Sequence, residues 1–276
     1  MRKLASLLAI SSLSFSGANA AVTASNLVAF YDFNGNTNDG SGNGATGALT
    51  EGAVISADGT GYSSNPGDSA LDLGSSQGNT ANGVQSRSVS TVDLSSTTAN
   101  NSIAISFWQY DIGNGAGGNA ATSAFGLDFG ANDRGVGTHT PWSDGTLYFD
   151  HGGCCSPAQR LTAPVGTSLL DSWHHIVLQI DNGNKQIWVD GVLAAEQATG
   201  AGAVPTFTGS VNVGAQYNEI HSFGGRIDEF AIWDVALEQS EIQALAGGAS
   251  TLSIIPEPSS SLLVLLSGMF LIRRRR

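Results

Sequence analysis

The stretch that decides the fold reads Trp173-His174-His175-Ile176-Val177-Leu178-Gln179-Ile180, then Asp181-Asn182-Gly183-Asn184, then Lys185-Gln186-Ile187-Trp188-Val189, then Asp190-Gly191 and Val192-Leu193-Ala194. Runs that are rich in β-branched and aromatic residues are typical of strands. The Asn-Gly and Asp-Gly pairs between these runs favour tight hairpins, because both central residues of such a turn can take positive φ. The stretch therefore predicts a three-stranded antiparallel meander.

Short strand-like runs continue on both sides of this meander. They include Leu27–Phe33, Ala70–Leu73 and Gly225–Trp233, and segments rich in Gly, Asn and Ser separate them. Ile103, Ile105 and Phe107 alternate with Ala104, Ser106 and Trp108, which is the period of a half-buried strand. A short helix is expected at Leu237–Leu245. The pattern predicts an all-β protein in which two antiparallel sheets pack as a sandwich, with one short C-terminal helix.

Several segments together carry a family resemblance. They are Phe30–Gly44, Ile105–Trp108, Trp173–Ile176 with Trp188–Gly191, and Phe223–Trp233 with Ala236–Ile242. In this order they resemble the LamG-like jelly-roll domains of the concanavalin A-like lectin/glucanase superfamily. The resemblance covers nearly all of residues 21–250 and implies a concanavalin A-like jelly roll. It implies no single function, because this fold carries enzymes, lectins and adhesion modules alike.

The beginning of the chain has the pattern of an export signal. Arg2 and Lys3 precede the apolar stretch Leu4–Phe15, and Ala18-Asn19-Ala20 supplies a small-x-small pattern. This order of a basic, an apolar and a small-residue segment is typical of a secretory signal peptide. Residues 1–20 are therefore predicted to be removed after Ala20.

The other end combines Pro256-Glu257-Pro258, the apolar run Leu262–Ile272 and Arg273–Arg276. Residues 251–276 resemble the PEP-CTERM sorting tail of bacterial exported proteins, which implies an exosortase as processing partner. Only fourteen residues separate Pro258 from Arg273, fewer than the ~20 that an untilted helix needs to cross a bilayer. The alternatives are a plain C-terminal anchor and a frayed hydrophobic end. The arginines should stay cytoplasmic, so the domain is expected outside, transiently anchored in the inner membrane until its tail is processed.

Charge limits the classes of partner. Residues 21–255 retain five basic and twenty-two acidic residues, which gives a net charge near −17. Nucleic acid is excluded as a partner, because phosphate binding needs clustered Lys and Arg. Solubility outside the cell or a bound cation would each account for the charge.

Catalytic patterns are missing from the sequence. The glucanases of the resembled superfamily carry Glu-x-Asp-x-Glu on one strand, and this triplet does not occur here. The five histidines are scattered, with neither a Gly-x-Ser-x-Gly elbow nor zinc spacing. We therefore expect a protein that is not an enzyme. The alternative is a glycoside-active enzyme with an unrecognised pair of carboxylates.

A candidate ligand-binding face lies between residues 141 and 153, where aromatic residues occur together with Asp and His. An apolar platform with a few placed polar groups suits a sugar, so Trp142, Tyr148, Asp150 and His151 are the candidates. The alternative is that Leu147 and Phe149 belong to the core and Trp142 covers the sheet edge.

Cys154 and Cys155 are the two cysteines of the chain. In an oxidising exterior they can pair internally only with each other, although a trans peptide holds their Cα atoms ~3.8 Å apart, closer than in most disulfides. We expect a vicinal disulfide. Intermolecular bridges and free thiols are the alternatives.

Calcium is the cofactor considered, because it prefers carboxylate and carbonyl oxygens from loops and relatives of this fold often carry a structural ion. Asp39, in the loop after the first strand, and Asp228, on the closing strand, are the candidate ligands. Pairing of the terminal strands would bring them closer. The alternative for Asp39 is a turn-capping role.

These observations together predict an exported binding or structural module of the cell surface or extracellular matrix. Its ligand would be a polysaccharide or a surface protein.

Overall fold

The computed structural model describes residues 21–75, 86–113, 116–128, 134–206, 209–216 and 221–256. The predicted signal peptide and the apolar and arginine segments of the predicted tail lie outside these residues. Within them the strands are β1 Leu27–Tyr31, β2 Ala48–Thr50, β3 Val54–Ile55, β4 Leu71–Asp72, β5 Arg87–Thr91, β6 Ser102–Asp111, β7 Phe125–Asp128, β8 Arg134–His139, β9 Thr146–His151, β10 Arg160–Pro164, β11 Trp173–Asp181, β12 Asn184–Val189, β13 Val192–Gln197, β14 Ser210–Val213 and β15 Gly225–Trp233. The α-helices are α1 Ser95–Asn100 and α2 Gln239–Ala246, and the 3-10 helices are Ala24–Asn26 and Thr251–Ile254.

The described strands form two antiparallel sheets. The eight-stranded sheet has the order β13-β12-β11-β6-β15-β4-β3, with β1 also paired to β15. The seven-stranded sheet has the order β10-β9-β8-β7-β14-β5-β2. This confirms the predicted all-β sandwich of two antiparallel sheets.

The predicted meander is β11, β12 and β13. Asn182 and Gly183 have φ of 48° and 90°, and Asp190 and Gly191 have φ of 49° and 76°. Both turns thus use two consecutive residues with positive φ, as the Asn-Gly and Asp-Gly pairs predict.

The main core lies between the sheets and is rich in aromatic rings. Phe107 and Phe230 from the eight-stranded sheet meet Phe125 from the seven-stranded sheet, with ring centroids 5.6 to 5.9 Å apart. Truncation of such a buried ring to alanine costs ~3–5 kcal/mol. This contact fixes the two sheets against each other.

A second apolar cluster covers the outer face of the eight-stranded sheet. Ile242 and Leu245 of α2, and Leu237 two residues before that helix, pack there with Trp188 and Trp233. As a result, β6 is buried on both faces over Ser102–Phe107, and not half-buried as its alternation predicts. The alternation shows which side chains point inward, but it does not show what covers the other face.

The helices differ from the prediction at two points. α2 begins at Gln239, because the Glu238 backbone N–H donates to Glu241 Oε2 at 2.8 Å and ends the preceding extended segment. α1 has the sequence Ser-Ser-Thr-Thr-Ala-Asn, which contains no apolar stripe, so its sequence carries no helical signal.

No helix among the described residues has the length and apolar character needed to cross a bilayer.

Candidate ligand-binding site

The turn between β8 and β9 positions Trp142. A cis Thr140-Pro141 peptide leads into it, and the Trp142 N–H donates to the Thr146 carbonyl at 2.9 Å. Asp144 Oδ1 accepts from the Thr146 N–H, also at 2.9 Å. These hydrogen bonds hold the indole at the end of the seven-stranded sheet.

Four rings meet there, and we name them the Trp142 face: His139, Trp142, Tyr148 and His221. The Trp142 ring lies 4.3 Å from His139 and 4.9 Å from His221, and Tyr148 lies 6.0 Å from His139. His139 is buried and its Nδ1 is 2.9 Å from the Thr122 carbonyl oxygen. Trp142 and Tyr148 are half-buried and remain accessible. The face is therefore an apolar platform on a fixed base.

Charged groups flank the platform. Arg160 donates from Nε and Nη2 to the two carboxylate oxygens of Asp150, each at 2.6 Å. Its guanidinium also lies 4.5 Å from the centre of the Tyr148 ring. The Asp150 carboxylate raises the pKa of Arg160. Such a bidentate pair fixes the positions of both side chains.

The Tyr148 hydroxyl donates to Asp144 Oδ2 at 2.6 Å. This hydrogen bond holds the pKa of Asp144 below its usual range and raises that of the Tyr148 phenol. Asp144 is exposed, so at neutral pH it presents an ionised carboxylate beside the rings.

His151 points to the other side of the sheet, because successive residues of a strand face opposite sides. It is buried, with Nδ1 2.8 Å from Lys185 Nζ and Nε2 2.9 Å from the Gly202 carbonyl oxygen. Burial, and then the charge of Lys185, lowers its pKa to about 4. Burial also lowers the pKa of Lys185, which is fully buried, to about 7.

Of the four sequence-derived candidates, Trp142 and Tyr148 both lie against His139, Asp150 is linked to Tyr148 through Arg160, and His151 lies in the interior. Leu147 and Phe149 are core residues, as the alternative interpretation held. Sequence reasoning did not identify His139, Asp144, Arg160 and His221 as neighbours of this face. His151 lies three positions after Tyr148 on the same strand, so the alternation of side chains could have shown that the two face opposite sides of the sheet. The pairing of Arg160 with Asp150 depends instead on the register of β9 and β10.

Cys154 and Cys155 form the predicted vicinal disulfide, with Cα atoms 3.8 Å apart. It lies in the loop between β9 and β10. The Gln159 amide closes this loop by donating to the Gly152 carbonyl at 2.7 Å. The prediction of a vicinal bridge is confirmed.

The two candidate calcium ligands have separate surroundings. Asp39 accepts from the backbone N–H groups of Phe30, Ser41 and Ala45 and from the Ser41 hydroxyl, which is the capping arrangement. Asp228 is buried and accepts from two backbone N–H groups. Among the described residues, no group of three or more His, Cys, Asp or Glu side chains could hold a metal ion. Calcium binding stays a prediction. A melting temperature that does not change when chelator is added would contradict it.

A family model described as the concanavalin A-like lectin/glucanases superfamily matches residues 80–243. The chain belongs to this superfamily. No curated protein sequence matches the chain significantly.

Among solved structures, domain 4 of AbnA, a GH43 extracellular arabinanase from Geobacillus stearothermophilus, in complex with arabinotriose, is 25% identical with a TM-score of 0.56. The match covers 80% of this chain and 98% of that domain. The binding domain of botulinum neurotoxin DC, in complex with rat synaptotagmin II, is 16% identical with a TM-score of 0.59. That match covers 82% of this chain but 52% of the neurotoxin chain, so the protein spans about half of it. At 16% identity, the similarity to the neurotoxin domain shows a shared fold.

Proposed function

We propose that this protein is an exported, non-enzymatic glycan-binding module of the cell surface or extracellular matrix, with the Trp142 face as its binding site. The observation that carries the proposal is an accessible Trp–Tyr platform flanked by a fixed ion pair and an ionised carboxylate. Apolar surface with a few oriented polar groups is the usual composition of a small-ligand site. The arabinotriose complex of the AbnA domain, which matches along almost its whole length, supports the choice of a glycan.

The carboxylates of this face suit binding better than hydrolysis. A glycosidase needs one carboxyl group with a raised pKa as proton donor. Asp150 is engaged with Arg160 through both oxygens, and the pKa of Asp144 is lowered. The raised pKa values of Asp111, about 7, and Asp228, about 8, belong to fully buried groups. A glycoside-active enzyme remains the alternative, and turnover of a polysaccharide would support it.

A binding screen of the purified protein against neutral and acidic polysaccharides tests the proposal. We expect Trp142→Ala to lower the affinity about tenfold or more, equivalent to ~1.4 kcal/mol. Trp173→Ala is the matched control, because Trp173 is also a half-buried indole but lies on the other sheet. Thermal melts of both variants show whether they fold. Binding that is unaffected by Trp142→Ala, or no glycan binding at all, would contradict the proposal.

A further inference from the structure

A cleft of about 320 Å³ opens on the outer face of the eight-stranded sheet, where β11, β12 and β13 meet the beginning of α2. It lies on the sheet opposite to the one that carries the Trp142 face. Six of the residues that line it carry the argument: Gln179, Gln186, Trp188, Leu193, Glu238 and Gln239. Its volume is at the lower end of the range for small-molecule sites.

Strand register builds the cleft from two neighbouring rows. Gln179 pairs with Gln186, which pairs with Glu196, and this gives a polar row across three strands. Trp188 pairs with Leu193 in the adjacent apolar row. Because paired residues face the same side of a sheet, amide groups and an apolar wall are placed side by side.

A chain of hydrogen bonds fixes the polar row. Gln179 accepts from the Leu237 N–H at 3.0 Å and donates to Gln186 Oε1 at 2.8 Å. The Trp188 indole N–H donates to the same Gln186 oxygen at 3.0 Å. The Gln186 amide nitrogen donates to Glu196 Oε1 at 2.7 Å, which uses one of its two N–H groups. These side chains are therefore held in place before any ligand arrives, which lowers the entropic cost of binding.

The charge of the cleft restricts its ligand. Asp181 and Glu238 contribute carboxylates, and none of the described residues that line the cleft is Lys or Arg. The neighbouring Lys185 faces the core, where its Nζ contacts His151. Carboxylates accept hydrogen bonds from hydroxyl groups, and amides both accept from and donate to them, whereas an acidic sugar would meet like charge.

We propose that this cleft, the Gln186 cleft, is a second ligand site that takes an uncharged sugar residue of a neutral oligosaccharide. The choice of a sugar rests on the proposed glycan-binding function. The cleft extends that function by a second binding site and by the expectation that the bound sugar is uncharged. Two sites on opposite sheets allow one molecule to bridge two glycan chains, so that linked binding strengthens attachment.

Calorimetric titration of the purified protein with arabinotriose, cellotriose and mannotriose, and with trigalacturonic acid as the anionic probe, tests the cleft. The double variant Leu193→Ser, Gln239→Ala removes one apolar side chain of the wall and one amide, and leaves the hydrogen-bonded row unchanged. Leu49→Ser is the matched control, because Leu49 and Leu193 are both 39% exposed and lie in different sheets. We expect a neutral trisaccharide to bind with two components. The double variant should weaken one of them at least tenfold, Trp142→Ala should weaken only the other, and Leu49→Ser should leave both unchanged.

Other outcomes separate the two proposals. Sugar binding that Trp142→Ala abolishes and the double variant leaves intact would overturn the second site alone. If trigalacturonic acid binds and the double variant abolishes that binding, the proposal that the cleft takes only uncharged sugars is wrong. If no sugar binds to the unaltered protein, both the second site and the proposed function fail.

Discussion

Asp228 on β15 is fully buried, and its carboxylate accepts from the backbone N–H groups of Tyr62 at 3.0 Å and Glu229 at 2.8 Å. Burial, with the nearby charge of Asp68, raises its pKa to about 8. The exposed Asp144 shows the opposite direction, because a phenol donates to it. At the residue scale, the surroundings of a carboxylate decide its chemistry, and only the folded chain shows those surroundings.

The raised pKa of Asp228 predicts how stability changes with pH. Between pH 4 and 8 the folded state keeps the proton that the unfolded state has lost, so this group's contribution to the free energy of unfolding decreases as pH rises. The decrease is at most ~1.4 kcal/mol per pH unit. Asp228→Asn removes this dependence. The melting temperature of the variant relative to the unaltered protein should therefore rise from pH 5 to pH 8.

Asp93→Asn is the control, because Asp93 is exposed and its pKa is lowered by hydrogen bonds from Ser95. Its difference in melting temperature from the unaltered protein should stay constant between pH 5 and 8. A constant difference for Asp228→Asn as well would show that Asp228 is ionised in the folded protein at neutral pH.

At the scale of elements, the sequence pattern predicted the features that depend on a few neighbouring residues. The hairpin turns at Asn182-Gly183 and Asp190-Gly191 follow from residues that tolerate positive φ. α1 was not predicted, because its polar sequence is helical only in the context of its neighbours. The burial of both faces of β6 also depends on distant residues, which are those that pack around α2.

The loop between β9 and β10 gives a prediction about its disulfide. Alkylation of the denatured protein without reductant should add no adduct to its intact mass, and alkylation after reduction should add two, because Cys154 and Cys155 are bonded to each other. Cys154→Ser leaves one unpaired thiol and should add one adduct without reductant. Two adducts on the unreduced protein would refute the bridge.

At the scale of the whole molecule, the sheet order brings distant segments together. His139 and Trp142 lie three residues apart at the end of β8, whereas His221 comes from a distant segment, yet their rings meet at one end of the seven-stranded sheet. The Gln186 cleft likewise joins the meander to α2, which follows it by some forty residues of chain. Neither site has a continuous sequence pattern.

Export and processing are predictions that concern the two ends of the chain. We expect the mature protein to begin at Ala21, and its mass to show loss of the segment after Pro256-Glu257-Pro258. Ala18→Arg disrupts the small-x-small pattern and should retain the first twenty residues. Replacement of the Pro-Glu-Pro triplet by alanines should retain the tail. N-terminal sequencing and intact mass of the exported protein measure both, and a mature chain that begins at Met1 would contradict the prediction of a signal peptide.

The sequence by itself determined the jelly-roll class, the strands of the meander, the α2 region and the pairing of two adjacent cysteines. The jelly-roll class follows from the family resemblance of several segments, and the others follow from periodicity, turn chemistry and covalent proximity, which act over a few residues. The tertiary structure decided that His151 faces the core, that Arg160 engages Asp150, and that amides and Trp188 enclose a cleft beside α2. Those arrangements depend on strand register and on contacts between residues far apart in the chain, where each side chain's neighbours come from other segments.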